Sequence, residues 1–181
     1  MLFRSIVTLL AAVDGGRSAG AEAILLARAL SASHRTIVVN LDADAFDIER
    51  LVDVSSPAGL SELLEGECSF AEAINRDRMT RLHVLAHGEG VAIDDRQGLD
   101  LVLDALCETY DQLVLVAPSP SVSGVAASLA PYADFAILVA PAGASETAVQ
   151  DACMALGKDG PGEVLVVSDA PAESREHIGA A

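Results

Sequence analysis

The stretch AAVDGGRSAGAEA, residues 11–23, joins an apolar run to a segment of helical periodicity. Glycine-rich turns at such a junction are where nucleotide-binding folds hold phosphate, because loop N–H groups and a helix N-terminus face one point. In a complete loop a lysine then reaches the β/γ-phosphates and a Ser/Thr hydroxyl holds Mg²⁺. Gly15, Gly16 and Gly20, with Arg17, Ser18 and Ala19 between them, fit the front of that pattern, but Ala21 and Glu22 stand where lysine and Ser/Thr belong. With Ser18 in place of the last glycine, Ala19 and Gly20 fill the two positions, which is no better. The sole lysine, Lys158, lies far downstream in GKDGPG.

Arg17 is the one cation in the turn. A charge-assisted contact is worth roughly 1.5–3 kcal/mol in binding, whereas groups that neutralise transition-state charge in phosphoryl transfer are worth about 10³–10⁵ in rate. Weak anion binding is therefore expected to survive, and efficient catalysis is not. The glycines are expected to remain because a strand reversing sharply into a helix needs the positive φ values that glycine takes.

Two further segments carry candidate chemistry. In TIVVNLDADAFD an apolar strand delivers Asp42 and Asp44 to its carboxyl end, where they would hold a metal or metal-bound water, or cap the following turn. In YDQLVLVAPSP the strand ends in Val116 and Ala117, with no acid where a phosphate-hydrolysing fold carries its Mg²⁺ ligand. Ser119, Ser121 and Ser123 lack a G-x-S-x-G elbow. His83 and His87 are four apart on a strand and its exit, so they need not share a face for a metal. Cys68, Cys107 and Cys153 are odd in number and widely spaced, fitting neither a disulfide framework nor a zinc pattern, so they read as buried free thiols of a reducing compartment.

Positioning these groups requires a sheet. Apolar strand-like runs recur at 6–12, 36–41, 82–86, 112–117, 135–140 and 163–168, nearly continuous rather than alternating, as parallel strands covered on both faces require. Helical patterns lie between them at 21–31, 60–64, 70–75, 99–108, 122–130 and 145–156. That order predicts an α/β fold: a doubly wound, mostly parallel sheet with helices on both faces and ligands at the carboxyl ends of its strands.

With 181 residues, 51% of them hydrophobic, the chain suits one domain over residues 1–170 and a polar tail at 171–181 that frays. A formal charge of −16 repels phosphate backbones and anionic headgroups, so nucleic acid is not an expected partner and docking on a bare membrane is disfavoured. No apolar run approaches the roughly 18 residues needed for a span. The start MLFRSIVTLLAAV imitates a short signal peptide, while residues 5–13 read equally well as a first core strand.

The order of IVTLLAAVDGG, TIVVNLDAD, GLSELLEGECSFAEAI, LHVLAHG, YDQLVLVAPSP and ADFAILVAPAGASETAVQDA resembles the cytoplasmic domain of bacterial tyrosine autokinases of capsular and exopolysaccharide biosynthesis. These are P-loop NTPase-like, three-layer α/β/α proteins of the same class as the Min and chromosome-partition ATPases. The most specific piece is residues 59–74, which the partition ATPases lack. By position, the family's phosphate loop falls on Gly15, Gly16, Arg17, Ser18, Ala19, Gly20, Ala21 and Glu22. Its second aspartate motif falls on residues 41–47, which keep Asp42 and Asp44 but replace Arg-Arg-Pro by Ala45, Phe46 and Asp47. Val116 stands in place of the third motif's aspartate, and the C-terminal tyrosine cluster is missing. The resemblance with these losses implies a kinase-like domain that no longer catalyses phosphoryl transfer, with no cofactor. Its implied place is the cytoplasmic face of the inner membrane, on a membrane-embedded polysaccharide chain-length regulator, with homo-oligomers possible. Two alternatives stay open. One is an active kinase or ATPase using ATP and Mg²⁺, with Arg17 for the lysine and Asp42 and Asp44 near the metal. The other is a Min-type positioning protein.

Overall fold

The computed structural model describes residues 4–54, 56–90, 96–157 and 160–168; Lys158 and the 171–181 tail lie outside the described residues. The elements run β1 (Ile6–Ala12), α1 (Gly20–Leu30), β2 (Thr36–Asn40), α2 (Phe46–Val52), α3 (Leu60–Leu64), α4 (Phe70–Ala73), β3 (Ile74–Arg76) and β4 (His83–Leu85). They continue with α5 (Arg96–Thr109), β5 (Gln112–Ala117), α6 (Val125–Leu129), a 3₁₀ turn (Ala130–Tyr132), β6 (Phe135–Ala140), α7 (Glu146–Ala155) and β7 (Glu163–Ser168).

The seven strands form one sheet in the order β3-β4-β2-β5-β1-β6-β7, parallel throughout except for the antiparallel β3–β4 pair. Strand side chains alternate between faces, so an unbroken apolar run feeds two cores. Leu9, Ala11 and Val13 of the first segment join Leu103, Leu106 and Leu129 on the side covered by α5 and α6. Leu10 joins Ala23, Ile24, Ala27, Ile48 and Val52 of α1 and α2 on the other. The expected doubly wound, three-layer α/β/α arrangement is present. The 6–12 run, which also imitated a signal peptide, is a strand paired on both sides and buried from Val7 onward.

Several local expectations are corrected. The helix expected over 70–75 ends at Ala73. Ile74 is extended (φ −83°, ψ 119°), and the Asn75 side-chain amide donates to the Ala73 carbonyl at 3.1 Å, a local bond that competes with helix continuation. Residues 74–76 instead pair with β4. The helix expected from 122 starts at Val125, because Ser119 and Ser123 hold the preceding residues in serine turns: Ser119 Oγ accepts from Ser121 N at 3.2 Å and Ser123 Oγ from Val125 N at 3.2 Å. The α2 helix, missed in the sequence, is fixed by Ile48 and Val52, four apart and buried. The three cysteines are free, as expected, but partly exposed rather than buried.

Candidate functional site

The glycine turn, the Asp42 and Asp44 segment and the β5 exit meet at the carboxyl ends of β1, β2 and β5, as a doubly wound sheet requires. Gly15, Gly16, Arg17, Ser18, Asp42, Asp44, Pro118, Ser119 and Val122 surround a cavity of about 170 Å³. Small-molecule sites usually occupy roughly 300–1,000 Å³.

Two of the loop's donors are spent on its own side chains. Asp14 Oδ1 accepts from Gly16 N at 3.1 Å, and Ser18 Oγ accepts from Gly20 N at 2.9 Å, so two N–H groups that a phosphate loop aims at its ligand are taken. Behind the loop, the Ser119 and Ser121 hydroxyls both donate to the Val13 carbonyl at 3.1 Å and draw the β5 exit over β1. That places Val122 against Gly15, where a Cβ would collide with the valine Cγ2. The expectation of positive φ fails here: the glycines with positive φ are Gly66, Gly88, Gly143 and Gly157, none of them in the turn. Gly15 is needed for a close approach and Gly20 for its packing on Ile48, whose Cγ1 would lie 3.0 Å from a Cβ.

Charge around the turn is self-contained. Arg17 Nη2 lies 3.4 Å from Glu22 Oε1, while Glu22 Oε2 is buried with no hydrogen-bond partner among the described residues. Glu22 thus sets a carboxylate against the turn's one cation. Asp42, 5% exposed, serves the following turn: its N–H donates to Asn40 Oδ1 at 3.0 Å, its Oδ1 accepts from Asp44 N at 3.1 Å and its carbonyl from Ala45 N at 3.0 Å. Burial pushes the Asp42 carboxyl above the usual range, and the Asp44 charge adds to this against the opposing Asp44 N–H. Asp44 is exposed. Val116 is fully buried in the core beneath α1, in register with Leu10 and Asn40. Among the described residues no group of three or more His, Cys, Asp or Glu is placed to share a metal ion. Around this cavity the described side chains supply one guanidinium, Arg17, and two carboxylates, Asp42 and Asp44.

The histidines separate as expected. His87 is buried at the carboxyl end, its Nδ1 3.3 Å from the Gly88 carbonyl, while His83 lies at the opposite end of β4. The 59–74 segment has a structural task that the sequence did not disclose. Leu60 N and Ser61 N donate to the Ala86 and His87 carbonyls at 2.8 and 3.0 Å. Glu62 closes the start of α3 by accepting from Gly59 N at 2.7 Å and also accepts from Glu89 N at 3.0 Å, which clamps the β4 exit. Those bonds to the charged form hold the Glu62 carboxyl below its ordinary value despite burial, the largest opposing influence.

No protein-family model matches the chain, and no curated protein matches it significantly. Solved structures do. The VpsO kinase domain aligns at TM-score 0.73 with 21% identity, covering 91% of this chain and 85% of its own. The kinase domain of the Escherichia coli tyrosine kinase ETK aligns at 0.73 with 17% identity, covering 100% and 74%. The septum site-determining protein MinD of Pyrococcus horikoshii, complexed with Mg-ADP, aligns at 0.72 with 19% identity, covering 94% and 72%. At such identities the likeness is one of fold. The chain therefore has the P-loop NTPase-like architecture that bacterial tyrosine kinase domains and MinD-type ATPases share.

Proposed function

We infer that this chain is a catalytically degenerate, tyrosine-kinase-like P-loop domain that acts as an adaptor or regulator in exopolysaccharide or capsular polysaccharide synthesis and export. The observation that carries the reading is the closed glycine turn: its N–H groups bond to Asp14 and Ser18, Val122 lies on Gly15, and Glu22 pairs with Arg17. A turn with internal acceptors for two of its N–H groups and its own carboxylate offers a triphosphate fewer donors than an open phosphate loop and no net positive charge. The implied setting is the inner face of the plasma membrane, reached through a membrane-embedded chain-length regulator; no helix among the described residues is long and apolar enough to cross a bilayer.

Titration calorimetry with ATP and Mg²⁺ tests the reading, together with a radiolabelled-ATP turnover assay. No turnover and no binding tighter than micromolar is expected; either one overturns it. The MinD alignment, at TM-score 0.72 beside 0.73 for the VpsO kinase domain, favours a positioning protein as the second reading. Analytical ultracentrifugation separates the two, because a dimer that forms only with nucleotide supports the second and an unchanged mass with ATP supports the first.

A further inference from the structure

At the amino end of the sheet, two adjoining cavities of about 250 and 330 Å³ share Arg81 and His83 in their walls. Antiparallel pairing places Arg76 of β3 directly opposite His83 of β4, so the two side chains are neighbours on one face. Arg81, in the turn that enters β4, uses Nη2 on the Ala32 carbonyl at 3.1 Å. The Arg76 guanidinium has no hydrogen bond or ion pair with another described residue. His83 is held from behind: its Nδ1 lies 2.6 Å from the Tyr110 hydroxyl, with the rings edge-on and centroids 5.6 Å apart. Burial raises the Tyr110 phenol, which stays protonated. Burial and the Arg76 charge lower His83, which stays neutral. With Nδ1 engaged by the hydroxyl, Nε2 is the ring nitrogen left for a ligand, and it donates in the tautomer whose Nδ1 accepts from Tyr110.

The acids in the walls are already matched. Asp77 receives Arg28 through two bonds of 3.0 and 2.9 Å, and Asp111 receives Arg35 through 3.2 and 2.7 Å. Arg76 and Arg81 therefore leave a local excess of positive charge in a protein whose formal charge is −16. Three donors from β3, the β3–β4 turn and β4 suit the separated oxygens of a tetrahedral oxyanion, and two guanidinium groups match its double charge. The compact recesses have room for a small body beside it, with the Tyr110 ring as an apolar wall.

We propose that Arg76, Arg81 and His83 form a binding site for the phosphate group of a small phosphomonoester, at the end of the sheet opposite the glycine turn. The site does not depend on the kinase-like reading above, because none of its residues belongs to the turn. The test is a titration of ¹⁵N-labelled protein with inorganic phosphate and with glycerol phosphate, followed by amide, arginine Nε and histidine ring signals at constant ionic strength set with chloride. Saturable shifts confined to residues 76–83 and 109–111 are expected. Arg76→Gln and Arg81→Gln should each weaken binding about tenfold or more while the dispersed amide spectrum reports an intact fold. The proposal is overturned by shifts centred on residues 14–22, by an unsaturable response equal to that of chloride, or by affinities unchanged in both variants. Tighter binding of a poly-glutamate peptide than of either phosphate also overturns it, since the pocket would then serve an acidic protein segment.

Discussion

At the carboxyl ends of the strands, Asp14, Glu22, Asp42 and Asp44 stand around one arginine, Arg17, and the loop N–H groups of Gly16 and Gly20 are bonded internally. At the amino ends, Arg76, Arg81 and His83 surround recesses whose acids are already paired with other arginines. The sheet that positions both ends is the same. A fold's customary place for a ligand and the place where its cations gather are therefore separable: here carboxylates gather at the carboxyl ends and the arginines of the proposed site at the amino ends.

The strongest way to test how firmly the carboxyl end is fixed is Gly59→Ala. Its Cβ would lie 2.5–2.7 Å from the backbone of Gly88 and Ala86, which no rotamer change relieves. A loss on the order of 2–4 kcal/mol is expected by urea denaturation. Gly15→Ala meets only the movable Val122 side chain and should cost far less.

Next in size is a gain of function. Replacing Ala21 with lysine and Glu22 with threonine adds a cation and removes the carboxylate. ATP affinity in a fluorescent-nucleotide titration is expected to rise about tenfold or more over the native chain. No change would mean that the closed loop, and not charge, excludes nucleotide.

Asp42→Asn probes the cost of burying a carboxylate in a turn. Because burial raises its folded-state pKa above the ordinary Asp value of 3.8, folding weakens as pH climbs from that value and the penalty is complete once the group is ionised. The asparagine Oδ1 keeps the bond from Asp44 N, so the variant should melt higher at neutral pH, by about 2–4 °C for each kcal/mol recovered, and match the native chain below pH 3.8.

The smallest effect is expected at the amino end. The Arg35 side chain and backbone N–H hold Asp111 down to about 2, so its contribution is present above 3.8 and fades as pH falls toward 2. Asp111→Asn should flatten that part of the acid-unfolding curve slightly, as befits an exposed pair.

The contrast between the ends also explains what the sequence made legible. Strands such as 112–117 are buried at every position, so they leave unbroken apolar runs, and the sheet follows from their order. The three residues of β3 are too few to show a period, and Phe46–Val52 is only seven residues long and overlaps the aspartate motif at 41–47, although Ile48 and Val52 carry the helical spacing. The missing lysine was visible at once. The closure of the turn was not, because Val122 reaches Gly15 across more than a hundred residues and the turn's glycines answer to packing rather than to φ. The amino-end pocket has no motif, since Arg76 and His83 become neighbours only through the antiparallel β3–β4 register.

One feature at the sheet's margin bears on handling the protein. Leu165, Val166 and Val167 of β7 are 46%, 45% and 41% exposed, so the last strand presents aliphatic side chains on both of its faces. Strands of this kind invite lateral growth between molecules, and the counterforce available here is mutual repulsion among copies that each carry sixteen excess negative charges. Concentrated salt, or acidification toward the isoelectric point near 4.3, removes that repulsion, and colloidal stability should collapse before the fold does.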